Sequence, residues 1–135
     1  MQRRRTLRLI VCLALLSLVA ACAGLQPQVT VGREEGEKVL TIKAASFKFE
    51  PNNIGAYMED VIVLKVENIS GAEHNFTLED PRGHVLQNLN LPPGKTVEVR
   101  VVLSEPGVYH FYCNKPFHTF LGMKGRIEVL KRQRG

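Results

Sequence analysis

The sequence predicts an all-β domain, a Greek-key β-sandwich of seven to eight strands, on three observations. Short runs of β-branched and aromatic residues recur along positions 38–131, clusters of Pro, Gly, Asn and Asp separate them, and no window holds a strong helical period over three turns. Taken in order, Val39–Ile42 and Phe47–Phe49 are short strand candidates and Val61–Val66 is a longer one. Thr96–Leu103 alternates, with Val97, Val99, Val101 and Leu103 on one face, the period-2 mark of a half-buried strand. Gly107–Cys113 places Tyr109, Phe111 and Cys113 inward, with Val108, His110 and Tyr112 on the other face. Lys124–Leu130 closes the domain with Ile127 and Val129 on one face. Turn signals lie at 50–53, Ser70-Gly71, Asp80–Gly83, Pro92–Gly94 and Glu105–Gly107.

Ahead of this domain, residues 1–21 read as a lipoprotein-type signal peptide: Arg3, Arg4, Arg5 and Arg8 precede the apolar run Leu9–Ala21. Val19-Ala20-Ala21-Cys22 resembles a bacterial lipobox, which would make Cys22 the lipidated residue. Cleavage after Ala23, releasing a soluble secreted or periplasmic protein, is the alternative, and a retained N-terminal anchor is the third reading. Residues 22–37 would then be the lipidated Cys and a flexible tether, and residues 132–135 a basic tail. The implied location is the extracytoplasmic side of a bacterial membrane.

Processing also removes a nucleic-acid reading. Taking four signal arginines from 18 basic residues leaves 14 against 13 acids, so the formal charge of +5 belongs largely to the signal. Cys12 leaves with it and Cys22 is the lipid site, so Cys113 is the one remaining thiol in an exported chain, either a reactive group or a ligand.

Cys113 stands in the spacing Cys-x₄-His-x₄-Met with His118 and Met123. Pro116 lacks an amide and restricts Lys115, so the strand must end and turn there, which allows His118 and then Met123 to come back toward Cys113. Thiolate, imidazole and thioether are soft or borderline donors. A His₂Cys set with a weak axial Met describes a blue-copper site, whereas zinc takes four strong ligands or three and a water. For the second His, strand alternation turns His110 away and His84 falls in a turn, leaving His74. A lone buried thiol leaves the clustering unexplained, and a cysteine hydrolase, which needs an oriented activating His, leaves the Met unexplained.

The segment GVYHFYCNKPFHTFLGMKGRIEVL resembles the ligand loop of cupredoxins, VLKVENISGAEHNF resembles their first-ligand region, and FKFEPNNI fits their first turn. The resemblance spans about residues 38–131, and the Pro116-containing loop is similar to those of azurin and rusticyanin. It implies one type 1 copper ion cycling between Cu(I) and Cu(II), with His74, Cys113 and His118 equatorial and Met123 axial. Around these it places Asn75, Asn114 and Lys115, with the Asn75 amide donating to the Cys113 sulfur and the Lys115 amide as a second donor. Two departures stand out: Glu59-Asp60 replaces a Gly-Asp pair, and Phe117 replaces a Gly before the ligand His.

The expected function is that of a monomeric, membrane-anchored carrier of single electrons. Phe117, Phe120 and Leu121 flank His118 either as packing or as a patch where redox partners dock briefly. The alternatives are copper storage, sensing or delivery, and a metal-free structural module. An enzyme is not expected, because type 1 copper alone offers no open substrate position and no second His cluster is present. A binuclear copper site would need a second Cys in the loop.

Overall fold

The computed structural model describes residues 28–32 and 36–133; the signal segment, Cys22 and Arg134 lie outside the described residues. Ten strands are present among them: β1 (Val29–Thr30), β2 (Glu37–Ala45), β3 (Lys48–Glu50), β4 (Asn53–Tyr57), β5 (Val61–Asn68), β6 (His74–Glu79), β7 (Val85–Leu91), β8 (Thr96–Val102), β9 (Gly107–Tyr112) and β10 (Lys124–Leu130). They form two mixed sheets, β1-β4-β10-β9-β6-β7 and β3-β2-β5-β8. The expected all-β sandwich is therefore observed, with more strands than the seven or eight expected.

Each layer is built from the alternation visible in sequence. In the four-stranded sheet, β5 is central, paired parallel to β2 and antiparallel to β8, and it turns Ile62, Leu64 and Val66 into the core against Val99 and Val101. In the six-stranded sheet, Tyr109 and Phe111 of β9 and Ile127 and Val129 of β10 are buried. Phe49 joins the layers, its ring edge-on to Phe76 at 5.7 Å and to Phe111 at 5.6 Å.

Four strands, β1, β4, β6 and β7, were not expected, and for the last three their composition explains why. β4 reads NIGAY and β6 reads HNFTLE, yet both are almost wholly buried, because neighbours cover both edges and both faces. β7 is a polar outer strand whose Leu91 alone is fully covered. The tether expectation for 22–37 is corrected in part: Val29–Thr30 pairs parallel with Ile54–Gly55, and β2 begins at Glu37. Without β1 the edge of β4 would present unpaired backbone groups. Phe47, expected within a strand, instead sits at φ 60 in the tight turn joining Ala45 to Lys48.

The departures Glu59 and Phe117 keep a left-handed backbone, at φ 73 and φ 64. Glycine adopts this region freely, while a side chain there costs on the order of 1 kcal/mol or more. Hydrogen bonds hold both positions: the Glu59 amide donates to the Leu103 carbonyl at 2.8 Å, and the Phe117 carbonyl accepts from the Leu121 amide at 2.9 Å. Beside Glu59, the Asp60 side chain is 1% exposed and accepts from Lys38 Nζ at 2.7 Å. It also accepts from the Tyr57 amide at 3.0 Å and pairs with Arg132.

Gly125 shows what seats the last strand behind the ligand loop. It lies opposite Phe111 in the β9–β10 ladder, and an added Cβ would stand 2.3 Å from that ring and 2.7 Å from the Asn52 carbonyl oxygen. The ring occupies the space a side chain would need.

Candidate metal centre

Two chain segments at one end of the sandwich supply the site. The first runs from the end of β5 into β6. Asn68 ties it down: its Nδ2 donates to the Ala72 and Leu91 carbonyls at 2.7 and 2.9 Å, and its Oδ1 accepts from the Ser70 amide at 2.9 Å. His74 thus enters β6 at a fixed height, 1% exposed. The second segment is the β9–β10 loop. β9 ends at Tyr112, the chain turns through Pro116 as expected, and the loop closes on itself through the Met123 amide to the His118 carbonyl at 2.9 Å and the Cys113 amide to the Met123 carbonyl at 3.1 Å. Thr119 Oγ1 caps the Cys113 carbonyl.

These segments converge Cys113 Sγ and one ring nitrogen from each of His74 and His118 within 4.8 Å of one another. Both imidazoles present Nδ1. The two Nδ1 atoms are 3.3 Å apart, and His118 Nδ1 is 3.4 Å from the sulfur. Cys113 is fully buried, His74 buried and His118 half-buried. Met123 is also fully buried, with its backbone bonded to those of Cys113 and His118. His84 pairs with Asp80 on the surface and His110 is exposed on the outer face of β9, so neither joins the cluster.

Electrostatics favour neutral, ligand-ready imidazole. Burial pushes the His74 pKa below the ordinary histidine value, and the charges of His118 and Lys115 push it further. The sulfur accepts one amide, from Asn75 at 3.3 Å. Asn75 is locked in turn: its Nδ2 donates to Asn88 Oδ1 at 2.8 Å and the Leu89 carbonyl at 3.0 Å, while its Oδ1 accepts from Thr77 Oγ1 at 2.6 Å and the Asn114 amide at 3.3 Å.

The second amide donor expected at Lys115 is not observed: among the described residues the backbone amide that donates to the sulfur is that of Asn75, with His118 Nδ1 the other polar contact. The turn sends the Lys115 carbonyl to the His118 amide, and its ammonium pairs with Glu73, linking the two ligand segments. Phe117, Phe120 and Leu121 are 78%, 88% and 53% exposed, so they form surface rather than packing. Phe47 extends that surface, its ring edge-on to His118 at 5.1 Å. Sequence reasoning missed Phe47, Ser70, Thr119 and Asn88. The Asn68-x-Ser70 pair, ending four residues before His74, was the available signal.

The donor set fits copper. A buried thiolate with two imidazole nitrogens suits Cu(I) and Cu(II), and among the described residues no carboxylate enters the cluster as it would at a hard-cation site.

Solved structures share the fold. A dithionite-reduced auracyanin from Roseiflexus castenholzii is 18% identical with TM-score 0.62, the match covering 68% of this chain and 96% of that one. Auracyanin A from Chloroflexus aurantiacus, described as a "blue" copper protein, is 17% identical with TM-score 0.60, covering 70% and 100%. The metal-binding domain of the Streptococcus pneumoniae Cu(I)-exporting P-type ATPase CopA, with Cu(I), is 15% identical with TM-score 0.61, covering 79% and 99%. No curated protein matches the sequence. The family model described as a cupredoxin-like domain matches residues 9–129, nearly the whole chain, and with the two-sheet sandwich and the His-Cys-His cluster at its end this chain belongs to the cupredoxin-like family.

Proposed function

We propose that this protein is a mononuclear type 1 copper protein that carries single electrons outside the cytoplasm. The observation that carries the reading is the convergence of Cys113 Sγ, His74 Nδ1 and His118 Nδ1 within 4.8 Å, from two segments already fixed by backbone bonds. Bound copper would supply a one-electron Cu(I)/Cu(II) couple. The chain's part is to hold its donors so that little rearranges on electron transfer. Burial excludes water from Cys113 and His74, and the Asn75 amide withdraws charge from the sulfur, which favours the reduced state. Met123, fully buried and bonded through its backbone to Cys113 and His118, would be a further, weak ligand in this reading and would tune the couple.

The half-buried His118 is the edge through which electrons enter and leave, ringed by exposed Phe47, Phe117, Phe120 and Leu121, where a redox partner docks transiently. The signal reading of residues 1–21 and lipidation at Cys22 would anchor the carrier to a membrane, with Val29 onward as the folded part. Copper delivery is the second reading, favoured by the shared fold of the Cu(I)-binding CopA domain. Adding Cu(II) to the purified protein decides between them: intense blue or green colour with fast, reversible reduction supports the carrier. A colourless or slowly reducing complex supports delivery, and no binding leaves a structural module.

A further inference from the structure

His74 shows the candidate copper position its Nδ1, and the opposite ring nitrogen is engaged by a side chain. Nε2 lies 2.8 Å from Ser70 Oγ. Proton counting around Ser70 assigns the roles. Asn68 is oriented without ambiguity: its Nδ2 faces two backbone carbonyls and its Oδ1 accepts the Ser70 amide. Oδ1 therefore has lone pairs only, and Ser70 Oγ, 2.8 Å away, must donate to it. The Ala72 carbonyl, at 3.2 Å, is the weaker competitor for that single hydroxyl proton. With its proton spent, Ser70 Oγ can only accept from the ring, and it accepts from the Ala72 amide as well, at 3.3 Å.

We infer that Ser70, oriented by Asn68, is a positioning residue that fixes His74 as its Nε2–H tautomer and so turns the Nδ1 lone pair toward the metal position. The relay runs from His74 Nε2–H to Ser70 Oγ, then from Ser70 Oγ–H to Asn68 Oδ1. Outer-shell partners of this kind orient ligand imidazoles and raise their basicity. This inference deepens the copper reading and rests on it for its purpose, but the tautomer itself belongs to the metal-free chain.

The test is a ¹⁵N correlation spectrum of the histidine side chains in the metal-free protein, which distinguishes a protonated from an unprotonated ring nitrogen. The native protein is expected to show His74 protonated at Nε2. Ser70→Ala is expected to populate both tautomers and to weaken Cu(I) binding about 10-fold or more, and Ser70→Thr, which keeps the hydroxyl, to restore both. A native His74 protonated at Nδ1 overturns the inference, as does a Ser70→Ala protein with unchanged tautomer and affinity. Failure to bind copper at all overturns the copper reading instead and leaves the tautomer result standing.

Discussion

Replacing Gly125 by Ala places one methyl group where the structure has none to spare. The new Cβ would lie 2.3 and 2.4 Å from two carbons of the Phe111 ring and 2.7 Å from the Asn52 carbonyl oxygen. Ordinary carbon contacts begin at about 3.5 Å, so the ring must retreat by more than about 1 Å. It has no room, being fully buried between Phe49 at 5.6 Å and Phe76 at 5.5 Å. Overpacking of a tight core costs about 1–3 kcal/mol, and two simultaneous clashes, one with backbone, put this change at the upper end, about 3 kcal/mol. At about 4–8 °C per kcal/mol for a domain of this size, the melting temperature should fall by roughly 12 °C or more. Urea unfolding of the metal-free protein measures the loss, and Gly125→Ala combined with Phe111→Leu should recover part of it. A single variant within about 0.5 kcal/mol of the native protein, or a double variant no better than the single, would refute this account of β9–β10 packing.

Three further outcomes are expected. Asp60→Asn should destabilise by about 3 kcal/mol, because it leaves the mostly buried Lys38 ammonium without its carboxylate, as measured by urea unfolding at pH 7. Burial acts to raise the Asp60 pKa, but the Lys38 and Tyr57 hydrogen bonds and the Lys38 and Arg132 charges outweigh it, and the net shift is downward. Its folded pKa therefore lies below the unfolded value, so its stabilisation is full above about pH 4 and is lost as pH falls through the folded pKa. The native stability should decline in that window, and the decline should be shallower in Asp60→Asn. Met123→Leu conserves volume at a fully buried position and should cost less than about 1.5 kcal/mol, while shifting the reduction potential of the copper-loaded protein in voltammetry. An unchanged potential would remove Met123 from the ligand set.

The readable parts of this chain were those whose physics is local. Alternation set the inward rows Tyr109–Phe111–Cys113 and Val99–Val101–Leu103, because a strand's faces follow from its own residues. The turn at Pro116 and the Cys-x₄-His-x₄-Met spacing likewise needed nothing from elsewhere. β6 was illegible because His74, Asn75 and Thr77 are polar yet buried, a state made possible by partners in other segments: Ser70, Asn88 and Asn114. β1 has just two paired residues, too short for any periodicity, and was set by the open edge of β4. The side chain of Lys115 could not be assigned from its own loop, since its partner Glu73 lies 42 positions earlier. Glu59 and Phe117 looked like departures by residue type, but their backbone keeps the left-handed turn that glycine would supply.

The central claim is that His74 Nδ1, Cys113 Sγ and His118 Nδ1 form one pre-arranged copper site. A crystal structure of the copper-loaded protein, with anomalous scattering recorded at the copper edge, tests it directly. The expected result is a single copper peak bonded to those three atoms, with Met123 alongside and the Asn75 amide still on the sulfur. Copper found at His84 or His110, or bound only after the His74 and His118 segments rearrange, would contradict it.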